Sequence, residues 1–125
     1  MISSFEKNKG VPFVITLWIA FVIFYISSLE IIPVPGPSIS IFPIVYHITA
    51  FFFLALFLFI SVLERKWNSK NIILSLTLVT LYAILDEFHQ YFVPSRVASF
   101  SDFLLDFNGI AFASLIYFIL ILKKK

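Results

Sequence analysis

Residues 43–63 read PIVYHITAFFFLALFLFISVL, and this stretch decides the fold of the chain. It contains no Asp, Glu, Lys or Arg, and His47 is its one basic side chain. A helix of about 20 apolar residues crosses the hydrocarbon core of a bilayer, which is roughly 30 Å thick. Lipid offers a bare backbone no hydrogen-bond partner, so a spanning segment without strand alternation must be helical. The stretch therefore predicts a transmembrane helix.

Three more apolar stretches of similar length follow the same pattern, at residues 12–29, 72–92 and 103–122. Hydrophobic residues make up 61% of the 125 residues and charged residues 13%, whereas a soluble domain is about half apolar and a quarter charged. We expect one all-α integral membrane domain over residues 1–125, with four transmembrane helices in an antiparallel bundle. The composition excludes a soluble enzyme, and the absence of cysteine excludes disulfide scaffolds and thiolate chemistry.

The basic residues predict the orientation of this bundle. Eight of the nine lie at the termini or between the second and third spans: Lys7, Lys9, Arg65, Lys66, Lys70, Lys123, Lys124 and Lys125. Because Lys and Arg concentrate in cytoplasmic segments, we expect a multi-pass protein of the cell membrane with both termini cytoplasmic. The same rule explains the basic residues without a nucleic-acid partner.

Ten polar residues interrupt the apolar pattern and are predicted to converge at the outer ends of spans two, three and four. They are His47, Asp86, Glu87, His89, Gln90, Arg96, Ser99, Asp102, Asp106 and Asn108. Carboxylates within membrane segments normally face a bundle interior or a wet cavity, where they find partners. We therefore predict an outward-facing polar pocket formed by these residues.

Arg96 is the one basic residue expected on the outer side, so we predict that it pairs with at least one of Asp86, Glu87, Asp102 and Asp106. A purely structural ion network around Arg96 is the alternative to a functional pocket. On the fourth span, Gly109 and Ala113 are small residues that would let a neighbouring helix approach closely.

The run Asp86-Glu87-x-His89-Gln90-x-Phe92-x-Pro94-x-Arg96, followed by Ser99, Asp102, Asp106 and Gly109, resembles the VanZ-like family. These are small membrane proteins named after an accessory protein of glycopeptide resistance that affects teicoplanin sensitivity. The chain departs from the family at three positions. Ile44 stands where members often have Lys, Ser95 where Gly is usual, and Asp106 where Asn is common. The resemblance implies a family and a cell-envelope context, and it does not imply a reaction.

The first functional hypothesis is a binding protein for membrane lipids, with an envelope lipid headgroup, a lipid-linked glycan carrier or a lipoglycopeptide in the polar pocket. Arg96 would hold a phosphate or carboxylate in a bidentate contact. Asp86, Glu87 and Gln90 would accept hydrogen bonds from hydroxyls or amines.

Two alternatives use the same side chains. A membrane-embedded lipid hydrolase or transferase would use a histidine and paired carboxylates as acid and base. A proton-coupled transporter would use the acids but, lacking an internal repeat, would need to dimerise. The sequence identifies no catalytic residue, and it is compatible with a homo-oligomer. His and Asp could ligate a metal, but no two histidines have motif spacing, so no metal or cofactor is predicted.

Overall fold

The computed structural model describes residues 8, 10–30, 40–63 and 67–123, with the side chain of Leu122 left out. The described part contains four helices and no strand: α1 (Gly10–Ser27), α2 (Phe42–Leu63), α3 (Ser69–Gln90) and α4 (Phe100–Leu122). Each is long and apolar enough to cross a membrane. The predicted all-α fold with four membrane-length helices is confirmed.

The helix starts differ from the predicted spans by one to three residues, and at α3 and α4 a local cap sets the start. Asn68 caps α3, and its side-chain oxygen accepts hydrogen bonds from the backbone N–H groups of Lys70 (3.1 Å) and Asn71 (3.3 Å). Ser99 caps α4 in the same way by accepting from the Ser101 N–H at 3.2 Å. Such caps satisfy N–H groups that the first helical turn leaves without partners.

The α2 helix is the centre of the bundle, since it packs against each of the other three helices and most extensively against α4. α2 and α4 run parallel: His47 meets Asp106 near one end, and the Phe59 and Tyr117 rings lie 5.8 Å apart further along. α1 and α3 are parallel as well. We call the end where α1 and α3 stop and α2 and α4 begin the loop end.

Gly109 allows the close approach of α4 to α2. A Cβ atom at this position would overlap the Ile48 carbonyl oxygen and would lie 2.9 Å from the Phe52 backbone nitrogen. Ala113, one turn further along α4, is fully buried. Small side chains at such a contact let two backbones pack directly, which is a common way for membrane helices to associate.

Candidate functional site

Three helices bring one histidine and two carboxylates together near the loop end. His47 comes from α2, Glu87 from α3 and Asp106 from α4, and one potential metal-binding atom of each lies within 4.8 Å of the others. The three residues are 3%, 9% and 0% exposed, respectively. We call them the His–Glu–Asp cluster. At 1.5 Å per residue, they lie roughly 5–9 Å inside the ends of their helices.

Hydrogen bonds hold the cluster in place but leave part of it without partners. His47 Nδ1 lies 2.7 Å from Asp106 Oδ1, and Glu87 Oε2 accepts the Ser99 backbone N–H at 3.0 Å. The second oxygens, Glu87 Oε1 and Asp106 Oδ2, are buried and have no hydrogen-bond partner among the described residues. Buried polar atoms almost always have a partner, so two orphan oxygens in one cluster need an explanation.

A second buried network links α3 to α1. The Gln90 side-chain amide donates to Asp86 Oδ2 at 2.9 Å and to Ser27 Oγ at 3.4 Å. Asp86 and Gln90 are one helical turn apart, which places their side chains on one face of α3. This network accounts for two of the predicted pocket residues through contacts within the protein.

Arg96 does not pair with a carboxylate, and the prediction of an ion pair is wrong. Its guanidinium donates to the backbone carbonyls of Ile26 (2.7 Å) and Leu29 (3.2 Å), and no described acidic side chain lies within ion-pair distance of it. The last carbonyls of a helix lack partners within the helix and carry partial negative charge, so they attract a guanidinium. Arg96 therefore caps the end of α1.

The backbone turn before Arg96 explains why its side chain reaches α1 rather than the carboxylates. Ser95 has a φ of 61°, and the Arg96 N–H donates to the Val93 carbonyl at 3.2 Å. A four-residue turn with Pro94 second and a positive φ third is typical of type II, which favours glycine at the third position. The turn leads the chain towards α1 and away from the carboxylates.

The remaining predicted residues do not share one location. Asp102 is half-buried in the first turn of α4, and Ser99 contributes its backbone N–H to Glu87. His89 faces α1, where its Nε2 lies 2.9 Å from Ser28 Oγ. Asn108 does not belong to the pocket: its side chain is exposed and donates to the Leu104 carbonyl of its own helix. Two residues along a helix correspond to about 200° of rotation, which separates Asn108 from Asp106.

Tyr46 is a site residue that the sequence reasoning missed. Its hydroxyl is buried without a hydrogen-bond partner among the described residues, and Asp86 and Asp106 lie within electrostatic reach. The sequence feature that could have identified Tyr46 is its position next to His47. Tyrosine counts as apolar in a hydropathy pattern, so the pattern hides a hydroxyl at this depth.

An apolar groove of about 590 Å³ lies between α3 and α4 at the loop end, next to the cluster. Glu87 is the one charged residue in its lining, which otherwise consists of Ile84, Phe88, Tyr91, Ala98, Ser99, Phe100 and Phe103. Phe88 and Phe100 are 61% and 74% exposed, so the groove opens to the side of the bundle that lipid would cover. We call it the α3–α4 groove.

Comparison with known proteins agrees with the motif. A model of the VanZ/LLP1 family matches residues 4–122, which is nearly the whole chain. No curated protein and no solved structure matches the chain. The matched region contains all four helices and the complete His–Glu–Asp cluster. This chain, a membrane protein with several spanning helices, therefore belongs to the VanZ/LLP1 family.

Proposed function

We propose that this chain binds an amphiphile of the cell envelope, a lipid, a lipid-linked carrier or a lipoglycopeptide, through the α3–α4 groove. The observation that carries the proposal is the composition of the groove: apolar walls lead from the lipid-facing side to a single acidic residue, Glu87. Such a site fits a molecule with an alkyl or prenyl chain and a polar group that can donate a hydrogen bond.

The apolar walls favour a hydrocarbon chain as the occupant. Phe88, Phe100 and Tyr91 are each more than half exposed on the bundle surface. Where lipid surrounds the protein, a groove of this kind is filled by chains rather than by water, since water there would find almost no hydrogen-bond partners.

The polar end of the groove favours a donor group on the ligand. Glu87 and Ser99 both belong to the lining of the groove. An ammonium or hydroxyl would give the carboxylate a charge-assisted hydrogen bond. Because Arg96 is committed to the end of α1, the proposed headgroup contact depends on Glu87 and Ser99 rather than on Arg96.

The distribution of basic residues favours the outer leaflet as the location of this groove. If both termini are cytoplasmic, as the positive-inside rule indicates, the loop end faces outward. The ligand would then be a component of the outer leaflet or a molecule that reaches it from outside.

The proposal is tested by filling the groove. Ala98→Phe places a ring in the α3–α4 groove, and Ala111→Phe makes the same change at an exposed position of α4. The probes are phosphatidylglycerol, undecaprenyl phosphate and teicoplanin, and native mass spectrometry from nanodiscs measures their retention. We expect Ala98→Phe to reduce retention of at least one probe about tenfold, with Ala111→Phe at the unsubstituted level. Equal retention of all three probes by both variants would refute the proposal.

A membrane-embedded hydrolase is a second candidate, and the His47–Asp106 contact favours it. A carboxylate 2.7 Å from one ring nitrogen orients an imidazole for service as a general base. Incubating the protein with the two lipid probes and measuring released headgroup tests this candidate, with His47→Gln as the inactive reference. Release that is absent, or equal in the His47→Gln variant, would exclude it.

A further inference from the structure

We propose that His47, Glu87 and Asp106 bind a divalent transition-metal ion. This inference goes beyond the proposed function and stands without it: Glu87 belongs to both sites, but the metal argument uses only the buried cluster and not the apolar groove. The sequence predicted no metal, since the three residues are 40 and 19 positions apart and belong to three different helices. The folded structure supplies the ligand set that no local motif displays.

The geometry of the donors is the first argument. One imidazole nitrogen and one oxygen from each carboxylate lie within 4.8 Å of one another, close enough for small side-chain shifts to bring all three onto one ion. All three side chains come from helices, and the Ser99 N–H donates to Glu87 Oε2 and so helps to orient this carboxylate. A hydrogen bond to the second oxygen of a ligating carboxylate is typical of metal sites.

The orphan oxygens are the second argument, and they are independent of the spacing. Asp106 is fully buried, and its Oδ2 has no partner among the described residues, as is also true of Glu87 Oε1. The donor inventory of the described site does not satisfy them: the Gln90 amide serves Asp86 and Ser27, and Arg96 serves α1. A bound cation would satisfy both oxygens together.

The charge of the region is the third argument. Three buried carboxylates, from Asp86, Glu87 and Asp106, lie near the loop end, and Arg96 is the one Lys or Arg residue of the sequence between positions 71 and 122. Because the Arg96 guanidinium contacts carbonyls, it does not neutralise any of them directly. Buried negative charge is costly in a membrane, so such carboxylates bind a proton or a cation, and a divalent ion would offset two charges at once.

The ligand types indicate which ions fit. Carboxylates suit Mg²⁺, Mn²⁺ and Ca²⁺, whereas imidazole suits later transition metals such as Fe²⁺, Ni²⁺, Cu²⁺ and Zn²⁺. The absence of cysteine removes any preference for the softest ions. We therefore expect Zn²⁺ and Mn²⁺ to bind, with Zn²⁺ tighter, and Mg²⁺ to bind much more weakly.

The experiment uses the full chain, purified in detergent and stripped with EDTA. Calorimetric titration with Zn²⁺, Mn²⁺ and Mg²⁺ measures affinity and stoichiometry, and the visible absorption of added Co²⁺ reports on the ligand set. We expect one Zn²⁺ per chain. His47→Gln, Glu87→Gln and Asp106→Asn should each weaken Zn²⁺ binding at least about tenfold.

His89→Gln is the matched control, because it removes the only other histidine of the chain and His89 faces α1. It should retain the affinity and Co²⁺ spectrum of the unsubstituted chain. If His47→Gln fails to fold, Glu87→Gln decides, since Glu87 lies at the edge of the cluster and its amide preserves the shape of the side chain. Far-UV circular dichroism confirms folding of each variant.

Two outcomes would overturn the proposal. The first is no Zn²⁺ binding by the unsubstituted chain at one equivalent per chain. The second is equal weakening, or none, in folded Glu87→Gln and His89→Gln, which would place any bound ion elsewhere on the protein. Lipid retention plays no part in these measurements, so failure of the metal site and failure of the proposed function are distinguishable.

Discussion

Arg96 shows that the neighbours of a residue along the chain need not be the groups that its side chain contacts. Its place between two acidic stretches suggested an ion pair, yet two backbone carbonyls of the α1 end receive its N–H groups. Arg96→Gln should lower the free energy of unfolding by about 1.5–3 kcal/mol, the usual range for hydrogen bonds to a charged group. Unfolding of the variant in mixed SDS micelles measures this loss.

A double-mutant cycle separates the carbonyl contact from an ion pair. Arg96→Gln and Asp102→Asn should act additively within about 0.5 kcal/mol, as sites without a shared contact do. A larger coupling energy would restore the ion-pair interpretation. Arg96→Lys should lose less stability than Arg96→Gln because it keeps a positive charge near the helix end.

Ser95 carries backbone strain that glycine would relieve. Its φ of 61° lies in the left-handed region, which costs a residue with a Cβ about 1–2 kcal/mol. Ser95→Gly should therefore raise the free energy of unfolding, although the greater freedom of glycine in the unfolded chain reduces the gain to about 1 kcal/mol or less. Ser95→Ala should give no such gain. A Ser95→Gly variant less stable than Ser95→Ala would contradict the expectation.

Gly109 is predicted to be the least replaceable glycine of the described chain. Gly109→Ala would force α4 away from the α2 backbone and should cost at least about 2 kcal/mol of unfolding free energy. Gly10→Ala is the matched control, because its Cβ would meet the Asn8 side chain at an ordinary 3.4 Å. Thermal unfolding in detergent compares the two variants, and equal midpoints would show that the close approach carries no stability.

At the level of the helices, the sequence predicted the presence of each helix well but its first and last residues less well. Hydropathy identifies each span because lipid tolerates only long apolar helices, and this demand acts on about 20 residues at once. Helix ends depend on single caps such as Asn68 and Ser99, which a hydropathy average does not detect. The α3 start illustrates the difference: it lies at Ser69, three residues before the predicted start at 72.

The cap of α4 can be tested by itself. Ser99→Ala removes the acceptor for the Ser101 N–H but leaves the backbone N–H that donates to Glu87. We expect a loss of about 1 kcal/mol confined to the start of α4, seen as several-fold faster hydrogen exchange at Ser101. Ser99→Thr keeps the hydroxyl and should exchange at the original rate. Unchanged exchange in Ser99→Ala would show that the cap contributes nothing.

For the whole molecule, the sequence predicted at which end of the bundle the site lies but not which side chains form it. Helix spacing and span order indicate which residues share the loop end, and His47, Glu87 and Asp106 do meet there. Neither indicates the rotation of α4, which turns Asn108 away from the cluster, nor the turn at Ser95, which directs Arg96 to the end of α1. Rotation is set by packing between helices, above all at Gly109, and packing is not visible in one sequence read alone.

Membrane orientation is a prediction for the whole molecule that cysteine labelling can check. Since the chain has no cysteine, Val97→Cys and Lys123→Cys each introduce a single exposed thiol, at opposite ends of the bundle. A membrane-impermeant maleimide should label Val97→Cys in intact cells and Lys123→Cys only after permeabilisation. The reverse pattern would place the loop end in the cytoplasm.

The pairing of His47 with Asp106 also implies a delay during biosynthesis. The two residues are 59 positions apart, so a ribosome adding about 5–20 residues per second needs roughly 3–12 s to deliver the partner of the imidazole. During that interval α2 enters the bilayer with a polar ring that has no permanent acceptor. A nascent protein that stalls after α3 would therefore carry the His47 imidazole without its Asp106 partner.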